Sequence, residues 1–267
     1  MLFSSDLDRT LIYAENFLKN FSFEEVLIFV GENRQKSYMD SLAADRLDAL
    51  VNRYGLKFVP NTIRSYDEYK KIDFPGVTPE WAIISNGAHI LHNDKVLEEY
   101  ADFLSNLIDK DTFLEICRLV GKFDGILEDS FSVNDYLARF DIKETANADD
   151  LNTQIRNLNK QVKASKDFAI YFTPNAMFIT PKVVNKCTGI KFLKEYLNED
   201  FVIAAGDSLP DVLMLRFSDV AIIPGHGTIS KNQVKLDNTV EIVSKGPSAA
   251  LDILDIVEEY LVRDFNT

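Results

Sequence analysis

Short apolar runs of strand length alternate with amphipathic runs of helix length at both ends of this chain, and in the middle that rhythm breaks. A strand opens the chain. EEVLIFVGENRQKSYM follows, two β-rich runs around Gly31-Glu32-Asn33 that read as a hairpin. DSLAADRLDALVNRYG carries Leu42, Leu47, Leu50 and Val51 at helical spacing, with Gly55 as the stop. LKFVP (56–60) is then a strand, SYDEYKKI a second helix-like segment, and WAIISNG (81–87) a strand ending in a polar turn. Past residue 180 the alternation resumes: TGIKFLKEYL reads as helix, FVIAAGDS as strand and turn, LPDVLMLRFS as helix, VAIIPG as strand and PSAALDILDIVEEYL as the last helix. Strands separated by helices build a parallel sheet with crossover helices.

Between those ends the pattern is α+β with antiparallel pairs. HILHNDKVLEEY reads as a hairpin turning at Asn93-Asp94, LEICRLVGKF as helix and SVNDYLARFDI as strand. ADDLNTQIRNLNKQVK reads as helix, and DFAIYF with AMFITP as a hairpin turning at Pro174-Asn175. The expected fold is therefore α/β: a doubly wound parallel sheet made of residues 1–88 and 182–267, with an α+β domain inserted at 89–181.

Composition narrows the class. With 46% hydrophobic residues in 267, the chain can bury one large core or two smaller ones. No stretch approaches the ~20 apolar residues of a membrane span, and no basic region precedes an apolar run at the N-terminus, so a cytoplasmic protein without a membrane partner is expected. Cys117 and Cys187 are far apart and not in a metal-binding spacing, which points to free thiols. A net charge of -13 without a basic cluster argues against a nucleic-acid partner.

In an open parallel sheet, ligands bind beyond the carboxyl ends of the strands. Asp6, Asp8 and Thr10 follow the first strand, Thr62 follows LKFVP, Lys186 precedes a helix, and Asp207 and Asp211 follow FVIAAG. Each alone has an ordinary reading: a helix cap for Asp8 or Asp207, a turn residue for Thr62, a surface lysine for Lys186. Together they bring several carboxylates, a hydroxyl and a cation to one edge. Converging carboxylates repel unless a cation joins them, and a hard, oxygen-preferring ion such as Mg²⁺ suits that set.

DLDRT (6–10), NTIR (61–64), SNGA (85–88), Lys186 in NKCTGIKFL and GDSLPD (206–211) resemble, in order and spacing, the motifs of the haloacid dehalogenase superfamily of phosphatases. Within it, the chain is most similar to the Cof-type, sucrose-phosphatase-like branch, whose cap domain is inserted between the Asn-Gly strand and the lysine. The resemblance implies a Rossmann-like core, a Mg²⁺ cofactor and a small phosphorylated substrate, with a sugar phosphate as the expected choice. It implies Asp6 as nucleophile, forming an aspartyl phosphate, and Asp8 as general acid and base. Thr62 and Lys186 would hold the transferring phosphoryl group. Asp6, Asp207 and the backbone carbonyl of Asp8 would hold the metal, with Asp211 as a further ligand or a group that orients the ligands, and Arg9, Asn86 and Gly87 would face the substrate.

The family usually has Gly where Arg9 stands, often Gly at Ile63 and commonly Asn at Pro210. Arg9 is then open to two readings, an anchor for a second anionic group or a surface cation. Ser4 and Ser5 are more polar than a buried strand calls for. In the inserted segment Asp124, Glu128, Asp135, Arg139, Tyr171 and Asn175 are polar candidates for substrate selection. A phosphomutase would use the same aspartyl phosphate, and a catalytically silent regulatory module would keep the fold without turnover. A monomer or small homo-oligomer fits either reading.

Overall fold

A computed structural model describes residues 1–31, 34–120, 127–134, 136–143, 167–172, 176–232, 234–242 and 244–264. It divides into two compact units, Met1–Leu97 with Asn185–Thr267, and Glu98–Val184.

The larger unit is built on five parallel strands in the order β15-β14-β13-β1-β5. In chain order its strands are β1 (Leu2–Ser5), β2 (Tyr13–Ala14), β3 (Glu25–Val30), β4 (Lys36–Asp40), β5 (Lys57–Pro60), β6 (Trp81–Ile84), β7 (His89–His92) and β8 (Lys95–Val96). After the second unit's β9–β12 come β13 (Val202–Ala205), β14 (Val220–Pro224) and β15 (Thr239–Ile242). β1 lies at the centre, its Leu2 opposite Val202 on one side and Lys57 on the other. All four of its residues are buried. A strand covered on both faces loses the in-out alternation of a half-exposed one.

Helix Ser41–Asn52 starts where the Asp40 carboxylate accepts the Leu42 N–H at 2.9 Å. It buries Leu47 and Leu50 against the sheet, each contributing roughly 1.5–3 kcal/mol. Gly55, at φ 68, turns the chain into β5. Leu42, placed by its spacing on the apolar stripe, is 62% exposed because it lies in the first turn beyond the core. Arg46 ties this helix to helix Pro247–Asp264 through Asp255 at 3.1 Å and Glu258.

Three local outcomes refine the expected pattern. The hairpin of β3 and β4 gains a third strand, since Tyr13 of β2 pairs with Tyr38; its turn residues Glu32 and Asn33 lie outside the described residues. SYDEYKKI yields one helical turn, Tyr66–Tyr69, opened by a Ser65–Glu68 capping box. It stops early because Ile72 bridges Phe29 and the Asp73 N–H donates to the Ile28 carbonyl. β6 joins the parallel sheet only through the Asn61–Ile83 bridge and otherwise pairs antiparallel with β7. Asn93 and Asp94, at φ 48 and 65, then make the tight hairpin turn to β8. That hairpin keeps residues 89–97 with the larger unit.

The second unit places helices Glu98–Leu107 and Lys110–Val120 with an antiparallel sheet in the order β11-β12-β10-β9. Its strands are β9 (Leu127–Asn134), β10 (Leu137–Ile142), β11 (Phe168–Phe172) and β12 (Ala176–Pro181). Phe113, Cys117, Phe140, Met177 and Ile179 form its core. The expected helix at ADDLNTQIRNLNKQVK and the turn Pro174-Asn175 lie outside the described residues. Both cysteines are buried and free. Among the described residues no helix is long and apolar enough to cross a membrane.

Candidate active site

The carboxyl end of β1 carries the first charged group. The Asp6 N–H continues the ladder to the Ala205 carbonyl at 2.9 Å, and the chain then folds back so that the Leu7 carbonyl accepts from the N–H groups of Thr10, Leu11 and Ile12. This tight turn puts Arg9 at φ 66 and aims the Thr10 hydroxyl at Asp6 Oδ2, 3.0 Å away. The other Asp6 oxygen accepts from Lys186 Nζ at 2.5 Å.

Lys186 is the first residue of helix Lys186–Tyr196 and is 1% exposed. The positive end of a helix dipole is a poor place for a cation. Its position follows from the carboxylates: the same ammonium also donates to Asp211 Oδ1 at 2.6 Å. Asn185 caps the helix by accepting the Thr188 N–H at 3.0 Å. Asn61, buried beneath, donates to the Lys186 carbonyl and to Ser4 Oγ, each at 3.1 Å. Ser4 in turn donates to the Met214 sulfur, and the Ser5 hydroxyl donates to the Asp6 carbonyl at 2.7 Å. The polarity of β1 is thus the underside of the site.

After β13, Asp211 is held from all sides. Its Oδ2 accepts from the Asp207 N–H, the Ser208 N–H and the Ser208 hydroxyl at 2.9–3.1 Å, while its Oδ1 takes Lys186. Pro210 stands in the first turn of the short 3-10 segment Leu209–Asp211, as a first-turn proline would. A side chain at Gly206 would put a carbon 2.5 Å from the Asp211 Cβ, so glycine allows the aspartate its place. Asp207 is 3% exposed, and its Oδ2 makes no hydrogen bond.

Asp6, Asp207 and Asp211 offer oxygens within 4.8 Å of one another. Burial pushes Asp6 up to about 8, with Asp211 and Asp8 adding to the rise and Lys186 opposing it. Burial and Asp211 push Asp207 up to about 6 against Arg9 and Lys186. Burial pulls Lys186 the other way, yet Asp211 and Asp6 together hold it above its ordinary value. The two partners pull against each other because three buried carboxylates share one buried ammonium. Lys186 stays charged, and the shortage of positive charge shows as the push of Asp6 and Asp207 toward their protonated forms.

Asp8 is set apart from that cluster. Arg64 grips it bidentately, Nε to Oδ2 at 2.7 Å and Nη2 to Oδ1 at 2.6 Å. The guanidinium lies 4.1 Å from the centre of the Phe29 ring. Burial lowers the Arg64 pKa, but Asp8 more than restores it. Arg64 has no role that the sequence alone makes legible. Its only signal was a cation two residues past Thr62 on an edge where carboxylates gather.

Thr62 is fully buried; its N–H donates to the Ile83 carbonyl, its carbonyl accepts the Asn86 N–H, and its hydroxyl accepts the Arg64 N–H at 3.2 Å. The next turn carries three successive left-handed residues, Ser85, Asn86 and Gly87, at φ 51, 56 and 91. Ser85 Oγ and Asn86 Oδ1 are buried and make no hydrogen bond. A Cβ on Gly87 would sit 2.2 Å from the Asn185 carbonyl oxygen, so this glycine lets the β6 turn touch the start of the lysine helix. Gly87→Ala is expected to cost roughly 2–3 kcal/mol in urea denaturation, from backbone strain and overlap together. A change below about 0.5 kcal/mol would mean that the two segments separate easily.

Arg9 points inward, toward Asp207. Its Nε lies 3.5 Å from Asp207 Oδ2, its Nη2 donates to the His226 carbonyl at 3.4 Å, and its charge sits 5.2 Å from the Phe17 ring centre. His226, also unassigned from sequence, props the same turn. Its Nδ1 accepts the Gly246 N–H at 3.1 Å, which leaves Nε2–H to donate to the Arg9 carbonyl at 2.7 Å. Burial lowers its pKa. Of the six polar candidates in the second unit, the side chain of Arg139 is described, and it pairs with Asp141 at 2.9 Å.

The chain has the fold of the haloacid dehalogenase-like hydrolases. A sucrose-phosphatase from Synechocystis, solved with sucrose and phosphate, is 19% identical over 97% of this chain and 98% of that one, with a TM-score of 0.69. A haloacid dehalogenase-like hydrolase from Bacillus subtilis is 13% identical over 96% and 91%, with a TM-score of 0.61. A haloalkanoate-superfamily phosphatase from Bacteroides thetaiotaomicron is 14% identical over 97% and 94%, with a TM-score of 0.56. No curated protein matches the chain by sequence. The sequence profile of the sucrose-6F-phosphate phosphohydrolase family matches residues 1–250, and the chain belongs to that family. It is a phosphatase, a hydrolase of phosphoric monoesters.

Proposed function

We propose that this phosphatase hydrolyses a sugar phosphate through an aspartyl phosphate on Asp6, with Mg²⁺ as its cofactor. The observation that carries the reading is the pair at the end of β1: Asp6 buried between Lys186 and Thr10, and Asp8 two residues on, held separately by Arg64. Two adjacent carboxylates in unlike settings suit unlike tasks. The sugar rests on family membership.

The donor set fits a hard cation. All its candidate ligands are oxygens, the cluster is short of positive charge, and Asp207 keeps a buried oxygen without a hydrogen bond. Asp6, Asp207 and the backbone carbonyl of Asp8 would hold it. Asp211, with both oxygens engaged, acts on this reading as the group that positions Lys186 and the Asp207 turn. When bound, the ion would supply charge neutralisation for a phosphoryl group arriving at Asp6.

The chain's own groups divide the work. An oxygen of Asp6 attacks phosphorus and the leaving sugar oxygen departs, taking a proton from Asp8. Water then attacks the aspartyl phosphate, giving its proton back to Asp8 and releasing phosphate. A carboxylate bonded twice to Arg64 has no proton to give, so the first step requires Asp8 to loosen at least one of those bonds. Lys186 offsets charge on Asp6, and the Thr62 hydroxyl keeps its proton for a phosphoryl oxygen. Asn86 borders Thr62 through the backbone and would shape the phosphate side of the site.

The test is phosphate release from p-nitrophenyl phosphate and a panel of phosphorylated sugars, with EDTA or with Mg²⁺, for wild type and Asp6→Asn. Metal-dependent release that falls at least about 10³-fold in the mutant is the expected result. Equal release from both proteins would remove Asp6 as nucleophile. Isomerisation of a sugar phosphate without release of phosphate would mark a phosphomutase.

A further inference from the structure

Arg9 stands in the tight turn after β1, and contacts on both its backbone and its side chain hold it there. The backbone stands at φ 66 with its carbonyl tied to His226 Nε2, while the guanidinium donates to the His226 carbonyl and lies against Phe17. From that seat it faces Asp207 Oδ2 at 3.5 Å, and neither Arg9 Nε nor that oxygen makes a hydrogen bond. The facing atoms, Arg9 Nε and Asp207 Oδ2, are both buried, while the Arg9 side chain as a whole is 38% exposed, so water screens the pair only in part. Arg9 balances the charge of the carboxylate without using its lone pairs.

We propose that Arg9 is a tethered cation that sets the affinity of the site for divalent metal, and that it weakens binding by standing where part of the ion's charge would act. This rests on the reading of Asp207 as a metal ligand. A metal engaging Asp207 meets a guanidinium held by the His226 carbonyl and the Phe17 ring, on a backbone pinned by His226 Nε2. Like charges a few ångströms apart in a buried setting repel strongly. In return, the metal-free site is left with less bare negative charge than the three carboxylates would otherwise impose. The chain therefore trades affinity for tolerance of metal loss, and demands a higher free Mg²⁺ concentration than the same site would without the Arg9 charge.

The experiment is calorimetric titration of Mg²⁺ into the EDTA-stripped and desalted full chain, repeated with Mn²⁺ followed by its electron spin resonance signal. Neither readout depends on turnover. Arg9→Gln removes the charge and keeps a polar side chain on the same backbone, so it is expected to tighten both metals by about tenfold or more. Arg9→Lys keeps a cation and is expected to stay within about threefold of wild type. Asp207→Asn is expected to lose binding by at least about tenfold. Arg9→Gln equal to or weaker than wild type, with Asp207→Asn impaired, overturns the role of Arg9 and leaves the metal site standing. Asp207→Asn binding as wild type does overturns the ligand reading itself, and the role of Arg9 with it.

Discussion

Lys186→Met is expected to be the most damaging single substitution in the protein. It removes the ammonium that both Asp6 and Asp211 contact and leaves their carboxylates buried without that partner. Breaking a buried ion pair from one side costs about 3–5 kcal/mol. Phosphate release should vanish, since Asp6 and the substrate would then repel each other. The loss of stability should be larger at pH 8 than at pH 5, because at low pH the abandoned Asp6, whose pKa burial raises, holds a proton. Urea denaturation at both values checks this, and an equal loss at the two would mean that Asp6 and Asp211 find other partners.

The second large effect concerns the metal-free protein and pH. Asp207 is held at about 6 and Asp6 at about 8, both above an unfolded aspartate near 3.8. The folded state therefore keeps protons that the unfolded state releases. Stability from these groups is fully present below about pH 4 and is lost as pH rises through about 6 and then about 8. For Asp207 alone the shift corresponds to at most about 3 kcal/mol. In EDTA, wild type should lose more of its melting temperature between pH 5 and 8 than Asp207→Asn does. Saturating Mg²⁺, which on the proposed reading engages the ionised carboxylates, should stabilise more at pH 8 than at pH 5. His226 works in the opposite sense: its lowered pKa removes stability as pH falls below about 6.5, which is why the comparison with Asp207→Asn is needed. A wild type and mutant with parallel pH curves would mean that Asp207 is not strained by its burial.

The groups that could be read from sequence are those whose chemistry is unusual for their place. Carboxylates straight after an apolar strand, and GDSLPD after a second one, stand out because a sheet edge lacks a structural need for them. Helix Ser41–Asn52 was legible from leucine spacing, and the turn at Asn93-Asp94 because few residues tolerate two left-handed conformations in a row. What stayed hidden depends on partners distant in the chain. Arg64 is an ordinary arginine until Asp8, 56 positions earlier, is placed beside it. His226 is an isolated histidine until Arg9 and Gly246 meet its two nitrogens. Ser4 acquires a reason only from Asn61 and Met214. The early end of the helical turn at Tyr69 was also illegible, since it comes from the later pairing of Ile72 with Phe29.

β1 leads directly into Asp6, the proposed nucleophile, and lies between β5 and β13, with Leu2 facing Val202. During synthesis this strand leaves the ribosome well before β13, and one of its hydrogen-bonding edges has no native partner until about 200 residues later. Until then a short apolar strand stays half-paired, the kind of edge that other chains can pair with. Native pairing of β1 with β13 must also close a very long loop, which makes the centre of the sheet slow to assemble. A nascent chain halted before β13 should therefore fold its second unit, whose β9–β12 are already complete, while its active-site strand still waits for the distal half of the sheet.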